Sequence, residues 1–171
     1  MIIRVSDIQD DGLTVANAGE FVAPYSDRSW RLDAVDLHIA RDGDDVVVTG
    51  ELGATVPLTC GRCLEEFPVA VRVPVDLRYL PRPPVADDAE LGVDDFDLDF
   101  YDNDELNLNA LVETETTLAL PMKPLCRADC KGLCPACGAD LNAGACSCVE
   151  TKVDPRWEAL AALKSRFEET K

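Results

Sequence analysis

Hydrophobic and polar residues alternate over long stretches near the start of this chain. Within residues 30–40, Val35, Leu37 and Ile39 lie on one side of an extended backbone and Asp36 and His38 on the other, which is typical of a strand with one buried face. Residues 46–58 are rich in β-branched side chains, and apolar residues recur at every second position from 69 to 79. The pattern therefore predicts an antiparallel β-layer for residues 1–80, to which residues 96–100 add a short edge strand.

The hydrophobic period lengthens after residue 104, and the chain changes from strand to helix patterning. The positions that follow helical spacing are Leu108, Leu111, Val112, Glu115 and Leu118. Because Pro121 ends this pattern, we predict a helix over residues 106–120. A second helix is predicted from Asp154, which can cap it, with Pro155 in its first turn. The expected fold class is α+β: an antiparallel β-sheet or partly open β-barrel covered by a helix, then a Cys-rich zinc module and a C-terminal helix.

Charge is distributed unevenly along the chain, whose formal net charge is −17 over 171 residues. Residues 1–120 contain 8 basic and 26 acidic side chains, whereas residues 121–171 contain 8 basic and 7 acidic ones. We therefore predict an acidic β-rich domain with its covering helix over 1–120, and a zinc module with a C-terminal helix over 121–171. A chain with this much negative charge repels a phosphate backbone at long range. This disfavours a protein that binds nucleic acids in general through their phosphates. The acidic run of residues 87–105 is expected to be a solvated loop.

The N-terminus has charged residues too early for the apolar core of a signal peptide, and no apolar run has the length of a membrane span. We therefore expect a cytoplasmic location and no membrane partner. In a reducing compartment the eight cysteines are not expected to form disulfides. Metal binding or thiol chemistry is the better explanation for them.

Six of the eight cysteines lie within a segment of 23 residues. They are Cys126, Cys130, Cys134, Cys137, Cys146 and Cys148. A C-x-x-C turn lets two sulfur atoms reach one Zn²⁺ ion, so Cys134 and Cys137 form the strongest candidate pair. We predict one structural Zn²⁺ held by this pair with Cys146 and Cys148, and Cys126 and Cys130 are the alternative ligands. The remaining possibility is that all six are reduced cysteines without a metal.

The other two cysteines form the sequence Cys60-Gly61-Arg62-Cys63 between two predicted strands. Three hypotheses stay open at this point: the pair shares zinc with Cys134 and Cys137, it is a redox pair whose thiol pKa is lowered by Arg62, or it has only a structural role in the turn. The redox hypothesis is weakened because the pair does not begin a helix, whose N-terminus would stabilise a thiolate.

Sequence features of enzymes are few. The chain has no phosphate-binding glycine loop and no G-x-S-x-G motif, and His38 is its only histidine. We therefore expect no catalytic activity and no small-molecule substrate. The alternative from another class is a thiol-active redox protein that uses Cys60 and Cys63.

The order and spacing of several motifs resemble those of the YceD family of large ribosomal RNA subunit accumulation proteins. The matching stretches are Cys60–Leu64, Leu118–Pro121, Pro124–Cys126, Cys130–Gly138 and Val153–Trp157. The resemblance implies a bacterial cytoplasmic factor for 23S ribosomal RNA accumulation, without an associated catalytic activity. Its motif positions here are Cys60, Arg62, Cys63 and the six cysteines of the C-terminal segment.

Charge suggests which partners such a factor could contact. The acidic part complements basic large-subunit ribosomal proteins. Precursor 23S ribosomal RNA could instead contact cations near the cysteines, and weak, salt-sensitive binding is expected of so few charges. These candidate RNA contacts are Lys123, Arg127, Lys131 and Lys152.

Overall fold

The computed structural model describes residues 1–82 and 98–148. In chain order its elements are β1 (Ile2–Arg4), β2 (Leu13–Val15), β3 (Arg31–Asp42), β4 (Asp45–Thr59), β5 (Glu66–Pro81), β6 (Leu98–Tyr101), β7 (Glu105–Asn107) and α1 (Leu108–Leu118). Short 3₁₀ turns occupy Val5–Asp7 and Ala18–Glu20.

The chain divides into two compact units. The first contains Met1–Cys60 and Glu65–Cys126, and the second contains Gly61–Leu64 and the chain from Arg127 onward. All of the strands and α1 belong to the first unit. The division therefore runs after Cys126 and assigns the Cys60–Cys63 turn largely to the second unit, whereas the sequence places it after residue 120.

The main sheet has five strands in the order β2-β3-β4-β5-β6 and stays open. The antiparallel ladder of β3, β4 and β5 confirms the strands that alternation predicts, and the turn at residues 42–45 joins β3 to β4. The predicted open β-sheet with a covering helix is confirmed, and two strand pairings depart from a single antiparallel layer. First, β6 pairs with β5 in parallel, which the 16 residues between them permit because parallel neighbours need a connection of about a dozen residues or more. Second, β1 pairs with β7 in a separate two-stranded sheet.

The helix α1 packs onto the apolar face of the sheet. Its buried residues are Leu108, Leu111, Val112 and Thr116, and they join the core that the inward-facing residues of β3, β4 and β5 form. The helix begins two residues later than predicted, because residues 105–107 pair with β1 and the Asn107 side chain accepts hydrogen bonds from the N–H groups of Asn109 and Ala110. Leu118 follows the same helical spacing, but its side chain is 73% exposed, so the buried face of α1 ends before it.

Several predicted features lie outside the described residues. They are the C-terminal helix from Asp154, Phe96 of the edge strand, Lys152 and the first part of the acidic run. Across residues 1–82 and 98–148, no helix is long and apolar enough to cross a membrane.

Candidate metal centres

The four cysteines predicted as zinc ligands lie together. The Sγ atoms of Cys134, Cys137, Cys146 and Cys148 are all within 4.8 Å of one another, and we call this group the second cysteine cluster. A tight turn places the first two of them. The Gly138 N–H donates to the Cys134 carbonyl oxygen at 2.8 Å, and the Cys134 N–H donates to the carbonyl oxygen of Ala139 at 2.8 Å. This turn directs two thiols toward one point.

The thiols of the second cysteine cluster differ strongly in acidity. Backbone N–H groups of Cys137 and Ala136 donate to the Cys134 sulfur, and together with the Cys146 thiol they lower the pKa of Cys134 to about 6. Its neighbour Cys148 has its pKa raised to about 12, first by its hydrogen bond with Cys137 and then by burial and the nearby thiols. The surroundings of Cys134 thus favour its thiolate form, whereas the hydrogen bond and burial at Cys148 oppose a second thiolate beside it. A cation among the four sulfur atoms would relieve that conflict.

A first cysteine cluster consists of Cys60, Cys63, Cys126 and Cys130. Their Sγ atoms also lie within 4.8 Å of one another, and three of the four side chains are buried while Cys126 is half-buried. The structure therefore groups the Cys60–Cys63 pair with Cys126 and Cys130 instead of with Cys134 and Cys137. It likewise separates Cys126 and Cys130 from the second cysteine cluster, so they are not its alternative ligands. The sequence did not predict this group of four cysteines, because spacing along the chain does not show which cysteine pairs the fold brings together.

Arg62 contacts the segment that carries Cys130. Its guanidinium Nη1 donates to the Cys130 carbonyl oxygen at 2.8 Å, and its own carbonyl oxygen accepts from the Leu133 N–H at 3.1 Å. Gly132 permits this approach: its φ is +73°, and a Cβ atom there would lie 2.9 Å from the Arg62 carbonyl oxygen. In the redox hypothesis Arg62 would lower a thiol pKa. In the structure it makes hydrogen bonds with the backbone of the Cys-rich segment instead.

Asn142 is a supporting residue that the sequence did not single out. Its side-chain oxygen accepts from the Lys131 N–H at 2.8 Å, and its Nδ2 donates to the Cys130 sulfur at 3.5 Å and to an Asp140 carboxylate oxygen at 2.8 Å. An amide donor toward sulfur is typical of the surroundings of thiolate ligands, which it orients and stabilises. The D-x-N sequence, with its propensity for side-chain-to-backbone turns, was the available signal.

Three of the candidate RNA contacts lie within the described residues. Lys123, Arg127 and Lys131 are exposed, and the Arg127 guanidinium lies 3.7 Å from the Asp129 carboxylate. Their contact with RNA stays a prediction.

The two clusters have the donor sets and spacing that allow each to hold a metal ion. Neither contains a histidine or a carboxylate, so each offers four sulfur ligands.

Comparison with known proteins gives a consistent result. The family model described as "Large ribosomal RNA subunit accumulation protein YceD" matches residues 48–164. An uncharacterized protein of Mycobacterium tuberculosis is 33% identical over 129 residues, which are 75% of this chain and 60% of that protein. One of Mycobacterium leprae is 28% identical over 129 residues, 75% of this chain and 58% of the relative.

A maize protein named large ribosomal RNA subunit accumulation protein YCED homolog 1, chloroplastic, is 24% identical in an alignment of 159 positions, gaps included, that covers 78% of this chain and 53% of the relative. The chain thus spans 53–60% of the length of these curated relatives. No solved structure is significantly similar to it. Because the family model covers more than half of the sequence, including both C-x-x-C motifs, the chain belongs to the YceD family of large ribosomal RNA subunit accumulation proteins.

Proposed function

We propose that this protein is a non-enzymatic factor that supports 23S ribosomal RNA accumulation and large ribosomal subunit biogenesis, and that it contains structural zinc. The observation that carries the proposal is the family match over residues 48–164, which includes all eight cysteines of the two clusters. A cytoplasmic location, expected from the sequence, stays a prediction.

Zinc is the metal whose chemistry fits these clusters. Zn²⁺ binds four thiolates in a tetrahedron with Zn–S distances of about 2.3 Å, which separates the sulfur atoms by roughly 3.8 Å. The clusters keep their sulfur atoms within 4.8 Å of one another, so small side-chain movements suffice for ligation. Four protein ligands leave no coordination position for water or substrate, and we therefore assign the zinc a structural role.

Two kinds of contact fit the proposed role. Basic ribosomal proteins complement the acidic residues of 1–120, and long-range attraction between them would accelerate association. Precursor 23S ribosomal RNA could contact the exposed Lys123, Arg127 and Lys131, and Lys152 would add a fourth cation. Both contacts are proposals.

The alternative, a thiol-active protein that uses Cys60 and Cys63, makes a different prediction about reactivity. Both side chains are buried, and both belong to a tetrad with Cys126 and Cys130. A zinc ion there would engage both sulfur atoms and protect them from alkylation. Alkylation of the metal-loaded protein at neutral pH should spare Cys60 and Cys63 if the zinc proposal is correct. Rapid modification of both would favour the thiol-active alternative.

The decisive experiment is a gene deletion with complementation. Deletion should lower mature 23S ribosomal RNA and large subunits relative to small subunits, as measured by RNA electrophoresis and sucrose-gradient profiles. A copy with Cys134→Ser should fail to restore them, because loss of one ligand disorders the zinc module. A copy with Ser147→Ala, a substitution beside the ligands Cys146 and Cys148 that removes no thiol, is the matched control and should complement. Unchanged ribosome profiles in the deletion strain would refute the proposed function.

RNA contact can be tested separately on the purified protein. Combined Lys123→Ala and Lys131→Ala substitutions should weaken binding to precursor 23S RNA and reduce the slope of its salt dependence. The control combines Arg4→Ala and Arg28→Ala, which remove the same charge from exposed positions of the acidic part. Equal losses in both double variants would show that only net charge matters, and would contradict a specific RNA contact.

A further inference from the structure

A cavity of about 370 Å³ opens within the first unit, where the end of β5, the strands β6 and β7 and the helix α1 meet. Its apolar lining includes Phe100, Leu106 and Leu111. It contains none of the cysteines and none of the candidate RNA contacts. A cavity of this volume falls in the range of protein pockets that hold a ligand or a long side chain.

The polar lining of the cavity is acidic. Four carboxylates contribute to it, those of Asp99, Asp102, Glu105 and Glu115, and no lysine, arginine or histidine does. Asp102 already accepts a hydrogen bond from the Arg82 Nε at 2.6 Å. The other three carboxylates form no ion pair with any residue of 1–82 or 98–148. The cavity therefore concentrates uncompensated negative charge.

The pKa of Glu115 responds to this negative charge. Partial burial and then the proximity of the Asp99 carboxylate raise the pKa of Glu115 above its usual range. A cation in the cavity would favour the ionised form of both carboxylates.

Tyr79 provides an independent observation. Its side chain is only 7% exposed, it lines the cavity, and within the described part of the chain its hydroxyl group makes no hydrogen bond. The other two tyrosines differ, since the Tyr25 hydroxyl pairs with Thr116 at 3.0 Å and the Tyr101 hydroxyl donates to the Asp44 carbonyl oxygen at 2.8 Å. Burial, followed by the Asp99 and Glu115 carboxylates that line the same cavity, raises the pKa of Tyr79. Among the described residues no fully buried side-chain oxygen or nitrogen atom lacks a partner, so the unpaired Tyr79 hydroxyl group is reached from the cavity, where a ligand could hydrogen-bond with it.

We propose that this cavity, which we call the Tyr79 pocket, binds a lysine or arginine side chain from a basic segment of a partner protein. The apolar lining suits the methylene groups of such a side chain, and the carboxylates suit its charged end. The Tyr79 hydroxyl would accept one of the donated hydrogen bonds. A partner of high positive charge also complements the net charge of −17. This inference deepens the proposed function, on which the identification of the partner as a basic ribosomal protein rests.

The test uses the full-length protein and two defined probes, acetylated and amidated tetralysine and tetraarginine peptides, at about 150 mM salt to screen unspecific attraction. Titration calorimetry would give the affinity, and amide shifts in nitrogen-15 NMR spectra would locate the site. We expect the largest shifts at Tyr79, Phe100, Leu111 and Glu115.

Three variants decide whether the pocket is specific. Asp99→Asn with Glu115→Gln, which keeps side-chain size, should weaken peptide binding about tenfold or more, because it removes charge-assisted hydrogen bonds. Tyr79→Phe should weaken it by a smaller factor, roughly two- to fivefold. The charge-matched control replaces the exposed Asp10 and Asp11 by Asn and should change the affinity less than about twofold.

Three results would overturn the inference. One is an equal loss of affinity in the Asp10 and Asp11 control, which would show attraction by net charge alone. Another is shifts spread over the acidic surface without enhancement at Tyr79. A third is that Mg²⁺ shifts the pocket residues while neither peptide does, which would make the pocket a divalent cation site. If peptide binding fails but the deletion and Cys134→Ser phenotypes hold, the pocket is refuted and the proposed function stands.

Discussion

The hydrogen bond between Tyr25 and Thr116 should make a measurable and separable contribution to folding. It joins the loop before β3 to the helix α1, its oxygen atoms lie 3.0 Å apart, and the two side chains are 5% and 0% exposed. Tyr25→Phe removes one partner and leaves the Thr116 hydroxyl buried without it. An unpaired buried hydroxyl costs about 1–3 kcal/mol, so we expect the free energy of unfolding to fall by that amount. Thr116→Val should cost a similar amount because it leaves the buried Tyr25 hydroxyl unpaired.

The double variant distinguishes hydrogen bonding from packing. Replacing both partners by apolar groups of nearly the same shape removes the unpaired group, so the double variant should lose less stability than the two single variants added together. Urea unfolding followed by Trp30 fluorescence gives the three differences from the transition midpoints, provided that the slopes stay equal. The Trp30 ring is a suitable reporter because its centre lies 5.4 Å from that of Tyr25. Strict additivity of the two single losses would refute the hydrogen-bond argument.

Three further predictions address the core, the metal and the pocket. Leu111→Ala should lower the free energy of unfolding by about 2–5 kcal/mol because the side chain is buried, whereas Leu118→Ala on the same helix should change it by less than about 0.5 kcal/mol; equal effects in urea unfolding would contradict the assigned helix face. Native mass spectrometry should show two Zn²⁺ ions per chain, both lost after chelation, and a protein purified under reducing conditions that neither contains nor takes up zinc would refute the structural-zinc assignment. The raised pKa of Glu115 means that this carboxyl group binds its proton more tightly in the folded protein than in the unfolded chain. Protonation of Glu115 therefore stabilises the folded protein below the ordinary pKa of the group, and this stabilisation is lost as pH rises through the raised pKa. Glu115→Gln should therefore stabilise the protein more at about pH 7 than at about pH 3, and the opposite trend in thermal unfolding would contradict the pKa direction.

Local patterning predicted the elements whose partners are near in sequence. The alternation that marks β3, β4 and β5 reflects one buried face, and short turns bring these strands together in order. The parallel pairing of β6 and the sheet of β1 with β7 depend on residues distant in sequence, and no local period encodes them. Leu118 shows that this limit of local patterns also applies within one helix. Helical spacing identifies the buried face of α1, but it does not show where the sheet on which α1 packs ends.

The grouping of the cysteines also depends on contacts that spacing does not encode. Two C-x-x-C motifs in one chain suggested one shared metal site. In the structure each motif lies beside a different pair of cysteines. All eight cysteines therefore belong to one of two clusters of four. This completeness bears on function. A redox role for Cys60 and Cys63 would require two thiols of a tetrad to react alone, although both are buried beside two further sulfur atoms. In contrast, structural zinc would use all eight thiols in the same way, which is why the metal explains the arrangement with fewer assumptions.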